Sequence, residues 1–140
     1  SSPTAIAVDR TLPPSAARVS AAIVAEWPRL EGRVTLLEGD LDSVDVSKDS
    51  IVVSAHPCGA LTDRVLDRAM AASARVVVLP CCHDERDRKG AHLEGWLDPS
   101  MALDVARAER LRANGYAVVT QTIPPSITAK NRLLLGTPLG

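Results

Sequence analysis

Two short apolar runs in this chain each end in cysteine and histidine, and this pairing constrains the fold more than any other feature. Residues 51–55 lead into His56-Pro57-Cys58-Gly59, and residues 75–80 lead into Cys81-Cys82-His83. Apolar runs of this length are typical of strands buried on both faces of a parallel sheet. Ligands bind at the carboxyl ends of such strands, so the sequence predicts a functional surface along one edge of a sheet.

The remaining segments alternate between strand-like and helix-like patterns, which is the signature of an α/β fold. Strands are predicted at residues 4–9, 34–38, 51–56, 76–81, 116–123 and 131–135, and helices after Pro13-Pro14, over residues 61–70 and from Asp98 to Asn114. The connection between the last two strands is too short for a helical crossover, so this pair is expected to be antiparallel.

Composition does not favour nucleic-acid binding by this segment alone or a membrane-spanning segment. The 140 residues suit a single domain, 1–140, and the net charge of −1 gives no electrostatic footprint for nucleic acid. Only Trp27, Trp96 and Tyr116 are aromatic, so base-stacking platforms are scarce. No apolar run reaches the ~20 residues that span a bilayer. Three cysteines make a poor disulfide framework and indicate a reducing compartment, by default the cytoplasm.

Three motifs together resemble a known family. Residues 56–63, His-Pro-Cys-Gly-Ala-Leu-Thr-Asp, are similar to the His-x-Cys-Gly-x-x-x-Asp stretch of a group of class I S-adenosylmethionine-dependent methyltransferases. Cys81-Cys82-His83 resembles that group's motif after the next strand, and Lys130-Asn131-Arg132 resembles its entry to the last strand. A family of tRNA ribose-2′-O-methyltransferases carries a similar pair. The resemblance covers nearly all of residues 6–136. It implies a three-layer Rossmann-like sandwich with a mostly parallel sheet and an antiparallel final strand.

The resemblance also implies that the family's first strand is missing. That strand and its Gly-rich loop hold the methionine end of the cofactor, and nothing similar precedes Ile6. The chain is therefore expected to be a truncated domain. In the family the absent strand lies between those that end here at Asp9 and His56, so its loss leaves a gap of ~10 Å. The sheet could close, or another molecule or a further piece of chain could supply the strand.

The cofactor implied by the resemblance is S-adenosylmethionine. Asp9 would accept hydrogen bonds from both ribose hydroxyls, with Arg10 beside it as a cofactor contact or a surface charge. Asp40 would meet the adenine amino group, and Leu41 would pack on the ring. The other interpretation of both acids is ordinary turn chemistry.

The first cysteine motif is expected to surround the reacting groups. His56, Pro57, Cys58 and Gly59 would form the loop that brackets the methyl group and the acceptor, so all four are predicted cofactor contacts. Histidine suits proton removal from a hydroxyl or amine at neutral pH, which makes His56 the candidate general base. Cys58 also belongs to the predicted catalytic set, together with Cys81 and His83.

A metal site is the other interpretation of these residues. If both strands stay extended, His56 shares a face with Cys58, and Cys81 shares one with His83. Two cysteines and two histidines would then form a zinc-like set, although the spacing matches no known finger. The favoured prediction is that no metal binds. Cys82 points the other way in this arrangement and is expected to pack in the core as a small hydrophobe.

Residues 83–97 form a charged loop whose run Glu85-Arg86-Asp87-Arg88-Lys89 predicts either a solvated segment or a substrate lid. His92 is a candidate substrate contact, whereas Trp96 is expected to anchor the loop to the core.

The function predicted from the sequence is a fragment of an S-adenosylmethionine-dependent methyltransferase whose acceptor is unknown. The isolated chain is expected to be inactive, because the main cradle of the cofactor is absent. Two alternatives stay open. One is a non-catalytic methyltransferase-like module that binds a partner or forms a homodimer through exposed sheet edges. The other is a Cys/His metal-binding domain.

Overall fold

The strands of this protein form two sheets that belong to different parts of the chain. A computed structural model describes residues 3–84 and 86–140. The chain divides into two compact units, Ser1–Asp45 and Val46–Gly140. The first contains a two-stranded sheet and the second a four-stranded sheet.

The first unit is one β-α-β segment. Strand β1 (Ala5–Asp9) and strand β2 (Val34–Glu38) pair in parallel, and helix α1 (Ala16–Glu26) connects them. The register places Asp9 opposite Glu38, so both strands end at the same edge. No described side chain of this unit is fully buried.

Helix α1 has the apolar periodicity expected from the sequence, but its apolar face lies on the surface. Val19 is 53% exposed and Trp27, directly after the helix, is 50% exposed. The helix ends before Pro28, whose ring cannot continue a helix.

The described part of the second unit contains six strands and α-helices: β3 (Ile51–Ala55), α2 (Ala60–Ala71), β4 (Arg75–Leu79), α3 (Pro99–Ala113), β5 (Tyr116–Thr122) and β6 (Arg132–Pro138). The strand order is β3-β4-β6-β5. Strands β3 and β4 are parallel, whereas β6 is antiparallel to both neighbours. The predicted α/β class and the antiparallel final pair are therefore confirmed.

The core of the described structure lies in the second unit, where α2 and α3 contribute apolar side chains and β4 is its most buried strand. Its main members are Val65, Leu66, Ala69, Val76, Val78, Leu103, Leu111, Tyr116 and Leu134. The prediction that β3 is buried on both faces is wrong, because Ile51 is 53% and Val53 is 68% exposed. Strand β3 is an edge strand of its sheet, with β4 as its only partner among the described residues.

Helix α3 begins where the sequence predicts. The Asp98 carboxylate accepts hydrogen bonds from the backbone N–H groups of Ser100 and Met101, both at 3.1 Å, and Pro99 occupies the first turn. A cap of this kind contributes about 1 kcal/mol to stability.

The charged loop is attached to the second unit at Gly90 rather than by its tryptophan. Trp96 is 93% exposed, so the prediction that it anchors the loop is wrong. Gly90 anchors it instead: a Cβ at this position would lie 2.4 Å from the carbonyl carbon of Ala102. Lys89 pairs with Asp87 at 2.8 Å, and Glu85 lies outside the described residues.

None of the described helices combines the length and the apolar character that crossing a bilayer requires.

The buried hydroxyl of Tyr116 gives a test of this packing. It donates to the carbonyl of Ala69 or Ala74, each at 3.0 Å, and so ties the start of β5 to the turn between α2 and β4. Tyr116→Phe should keep the ring but leave these carbonyls without the hydroxyl, which should lower the free energy of unfolding by about 1–3 kcal/mol. Urea denaturation measures this, with the half-exposed Val119→Ala as control; equal midpoints for wild type and Tyr116→Phe would contradict the packing.

Candidate functional site

The strand ends of the first unit carry the acids predicted to bind the cofactor. The Asp9 carboxylate is exposed at the end of β1 and accepts a long hydrogen bond, 3.4 Å, from the backbone of Thr11. The N–H of Gly39 donates to the carbonyl oxygen of Asp9 at 2.8 Å, which fixes the end of β1 beside the end of β2. The carboxylate of Asp9 therefore keeps accepting capacity at the strand edge.

Asp40, the predicted adenine contact, is held by its neighbours. Its Oδ2 atom accepts from Nε of Arg10 at 3.1 Å and lies 3.0 Å from that guanidinium's second nitrogen. Its Oδ1 atom accepts from the backbone of Asp42 at 3.3 Å, which caps the short 3₁₀ turn that begins at the half-buried Leu41. Arg10 thus orients the carboxylate of Asp40.

The loop after β3 exposes one side chain and buries the next. His56 has a φ of +59°, an uncommon left-handed conformation for a side chain of this size, and its imidazole is exposed. Pro57 is buried, and its carbonyl accepts a 2.7 Å hydrogen bond from the buried hydroxyl of Thr62. Gly59 has φ +53° and ψ −126°, a conformation open essentially to glycine alone. These contacts fix the loop and present His56 to solvent.

The second cysteine motif begins after β4 has ended at Leu79, so the alternation of a strand does not apply to it. Cys81 is buried at 7% exposure, whereas Cys82 is exposed. The prediction that Cys82 packs in the core is therefore wrong, and Cys81 takes that place.

Three sulfur atoms meet at the carboxyl ends of β3 and β4. The Sγ atoms of Cys58 and Cys81 are 3.2 Å apart, and those of Cys81 and Cys82 are 3.7 Å apart. All three lie within 4.8 Å of one another. The structure thus groups three cysteines, which differs from the set of two cysteines and two histidines weighed from the sequence.

The thiols of Cys58 and Cys82 do not ionise alike. Hydrogen bonding with Cys81, and secondarily with Cys82, raises the pKa of the Cys58 thiol to about 12. Hydrogen bonds from Cys58 and Cys81 lower the pKa of Cys82, with a smaller contribution from the positive charge of Lys130. Cys82 is therefore the thiol that the cluster favours as a thiolate.

His83 is directed away from the sulfur atoms. Its Nε2 atom lies 2.8 Å from Oδ1 of Asp104 on α3, and its side chain is 11% exposed. The pairing holds the imidazole in one orientation.

A buried guanidinium connects these loops to α3. Arg107, 1% exposed, donates to Asp104 at 3.1 Å, to Asp63 at 3.0 Å and to the carbonyl oxygen of Gly59 at 3.2 Å. The second oxygen of Asp104 accepts from Nε of Arg132 at 2.8 Å. The aspartate of the first motif and the arginine of the third are thus parts of one ion network.

Arg107 and Asp104 are the residues that sequence reasoning missed. They are three positions apart and so share a face of α3, and the helix buries Arg107 beside Leu103 and Leu111. Two charged residues on the buried side of an amphipathic helix were the available signal, because a buried charge needs a partner.

The ion pair of Asp104 and Arg132 also forms part of the wall of a 590 Å³ cavity between α3 and the last two strands. The rest of this wall is mostly apolar and includes Met101, Val105 and Leu133. The network therefore extends from the cysteine loops to this cavity.

Comparison with known proteins identifies similar folds. Residues 9–89 match a family described as a methyltransferase domain. The fibrillarin pre-rRNA processing protein of Methanococcus jannaschii is 14% identical, with a TM-score of 0.57 over 98% of this chain and 56% of its own. The S-adenosylmethionine-dependent methyltransferase SibL in its apo form is 20% identical, with a TM-score of 0.50 over 96% of this chain and 43% of its own. The chain thus spans about half the length of these structures. No curated protein matches the sequence.

Removing the buried guanidinium of Arg107 should strongly destabilise the folded protein. Arg107→Met leaves the carboxylates of Asp63 and Asp104 without their shared partner, so the free energy of unfolding should fall by about 3–5 kcal/mol. Arg112→Met, an exposed arginine on the same helix, should change it by less than about 0.5 kcal/mol. Chemical denaturation of both variants measures the difference. Similar midpoints for the two would show that the network contributes little.

Alkylation rates test the ionisation of the thiols. Iodoacetamide reacts with thiolates, so at pH 7.5 it should modify Cys82 first, Cys58 much more slowly and the buried Cys81 last. The alkylation rate of Cys82 should reach half its maximum at a lower pH than the rate of an ordinary cysteine does, because the pKa of Cys82 is lowered. Peptide mass mapping of metal-free, reduced protein gives the order. Faster modification of Cys58 would contradict the assignment.

Proposed function

We propose that this chain, which belongs to the family of methyltransferase domains, forms part of the active site of an S-adenosylmethionine-dependent methyltransferase. The observation that carries the proposal is the extent of the family match. Residues 9–89 include Asp9, Asp40, the loop at His56 and the cysteines at 81 and 82. Every residue expected to contact the cofactor, and every expected acceptor contact except His92, lies inside the matched segment.

The residues fit the cofactor by their chemistry. An exposed carboxylate at a strand end suits the two vicinal hydroxyls of a ribose, and Asp9 has spare accepting capacity there. Asp40, oriented by Arg10, would accept from the adenine amino group, and Leu41 would pack on the ring. When bound, S-adenosylmethionine supplies an electrophilic methyl group on its sulfonium.

The chain's own contribution to catalysis is positioning and proton removal. Thr62 and Arg107 fix the loop of residues 56–59 through the carbonyls of Pro57 and Gly59. This fixes the backbone of the loop at His56, whose exposed imidazole would take the proton from the hydroxyl or amine of the acceptor. Cys58, exposed in the same loop, would contact the acceptor, whereas Cys81 is buried and His83 is paired with Asp104.

We further propose that chain outside the described strands completes the cofactor cradle. Two observations support this. The similar structures are about twice as long as this chain. Strand β1 pairs only with β2, and β3 only with β4, among the described residues. Each strand thus offers an open edge to a further strand.

The acceptor class stays open in this proposal. The net charge of −1 and the scarcity of aromatic residues do not favour RNA bound by this segment alone. The three free cysteines are consistent with the cytoplasm.

A second candidate function is a non-catalytic module that pairs through these strand edges, either with a partner or with a second copy. The exposed apolar face of β3, with Val53 at 68% exposure, favours it. A stable dimer that fails to bind S-adenosylhomocysteine would support this module over the enzyme.

The ribose contact gives the direct test. In the natural polypeptide that carries these residues, Asp9→Asn should weaken S-adenosylhomocysteine about 10- to 100-fold, since a hydrogen bond to a charged group contributes about 1.5–3 kcal/mol. Asp45→Asn, an exposed acid of the same unit, is the matched control. Calorimetric titration gives the affinities, and sedimentation of the same samples gives the oligomeric state. Equal affinity of wild type and Asp9→Asn would refute the assignment of Asp9.

A further inference from the structure

The cysteine cluster has the composition and geometry of a site for a soft metal ion. Its three sulfur atoms come from two loops, with Cys58 after β3 and Cys81 and Cys82 after β4. Sequence spacing did not reveal this group, because it joins adjacent cysteines whose side chains would diverge in an extended strand. The cluster exists because the strand ends at Leu79.

The distances fit one ion. Zn²⁺ binds cysteine sulfur at about 2.3 Å, so two thiolates of a tetrahedral site lie about 3.8 Å apart. Here the sulfur of Cys81 lies 3.7 Å from that of Cys82 and 3.2 Å from that of Cys58. All pairs lie within 4.8 Å. The sulfur of Cys58 would have to move about 0.6 Å away from that of Cys81, and the distance between Cys58 and Cys82 would have to change by at most about 1 Å; both side chains are exposed and can rotate.

The exposure and the neighbours of the three cysteines also suit a metal ion. Cys58 and Cys82 are exposed and Cys81 is buried, so an ion could enter from solvent and rest against the protein. Within the described part of Val46–Gly140, no histidine or carboxylate joins the group, and His83 is paired with Asp104. Three protein ligands leave the fourth position of a tetrahedral ion for water or another ligand.

We propose that Cys58, Cys81 and Cys82 bind one Zn²⁺ ion through their thiolates, with the fourth coordination position open to solvent. Thiolate ligands select Zn²⁺ over hard ions such as Mg²⁺ and Ca²⁺. The site does not depend on the methyltransferase proposal, since its ligands hold neither the ribose nor the adenine of the cofactor, and Cys58 and Cys81 are shared only with the predicted set at the reacting groups.

Cobalt provides the readout, because Co²⁺ bound to thiolates gives a strong ultraviolet charge-transfer band that scales with the number of sulfur ligands. Tag-free chain, stripped of metal and kept reduced, should develop this band to saturation at one Co²⁺ per chain. Zn²⁺ should then displace the cobalt and abolish the band.

Variants assign the ligands. Cys58→Ser and Cys82→Ser change exposed residues, so both should fold, which circular dichroism checks. Each should weaken the charge-transfer band and lower the affinity for Zn²⁺ at least about tenfold. Even the loss of a residue that only hydrogen-bonds to a metal ligand typically lowers metal affinity by that much.

His92→Asn is the control. His92 and Glu109 form an exposed pair, 3.4 Å apart, that could hold cobalt outside the cluster. No band in the wild type, or a band unchanged in both cysteine variants, would overturn the proposal.

Discussion

The buried guanidinium of Arg107 is the constraint on which the rest of the second unit depends. Charge is costly to bury, and this one is retained because Asp63, Asp104 and the carbonyl of Gly59 all accept its hydrogen bonds. The contacts run from α3 to α2 and to the loop after β3. Through Asp104 they also reach His83 and Arg132. A single side chain thus sets the relative positions of both cysteine loops and the start of β6.

The residues of the three motifs fall into two groups, those that form the ion network and those that are exposed. Gly59, Asp63 and Arg132 serve the ion network, and their side chains or backbone are engaged within it. The exposed groups are different ones: the imidazole of His56 and the thiols of Cys58 and Cys82. The network holds the loops that carry these exposed groups. Their positions are therefore defined although the groups themselves are not buried.

Much of the fold could be predicted from the sequence, because its signals are local. Periodicity located the helices, the Asp98-Pro99 pair located the start of α3, and the short last connection required antiparallel pairing. The failures come from contacts that are distant in the sequence. Exposure of Ile51 depends on which strands pair with β3, and the approach of Cys82 to Cys58 depends on where β4 ends. Arg107 was missed for the same reason, since its partner Asp63 is 44 residues away.

Amide hydrogen exchange in Arg107→Met tests the central role of this side chain most directly. The N–H of Gly59 donates to the carbonyl of Cys82 at 2.9 Å and so reports whether the two loops stay together. The N–H of Ile123, bonded to the carbonyl of Asn131 in the last hairpin, is the reference amide outside the two cysteine loops. Relative to Arg112→Met, the account predicts much faster exchange at Gly59 and a smaller change at Ile123. Unchanged protection of Gly59 would show that the loops hold their geometry without Arg107.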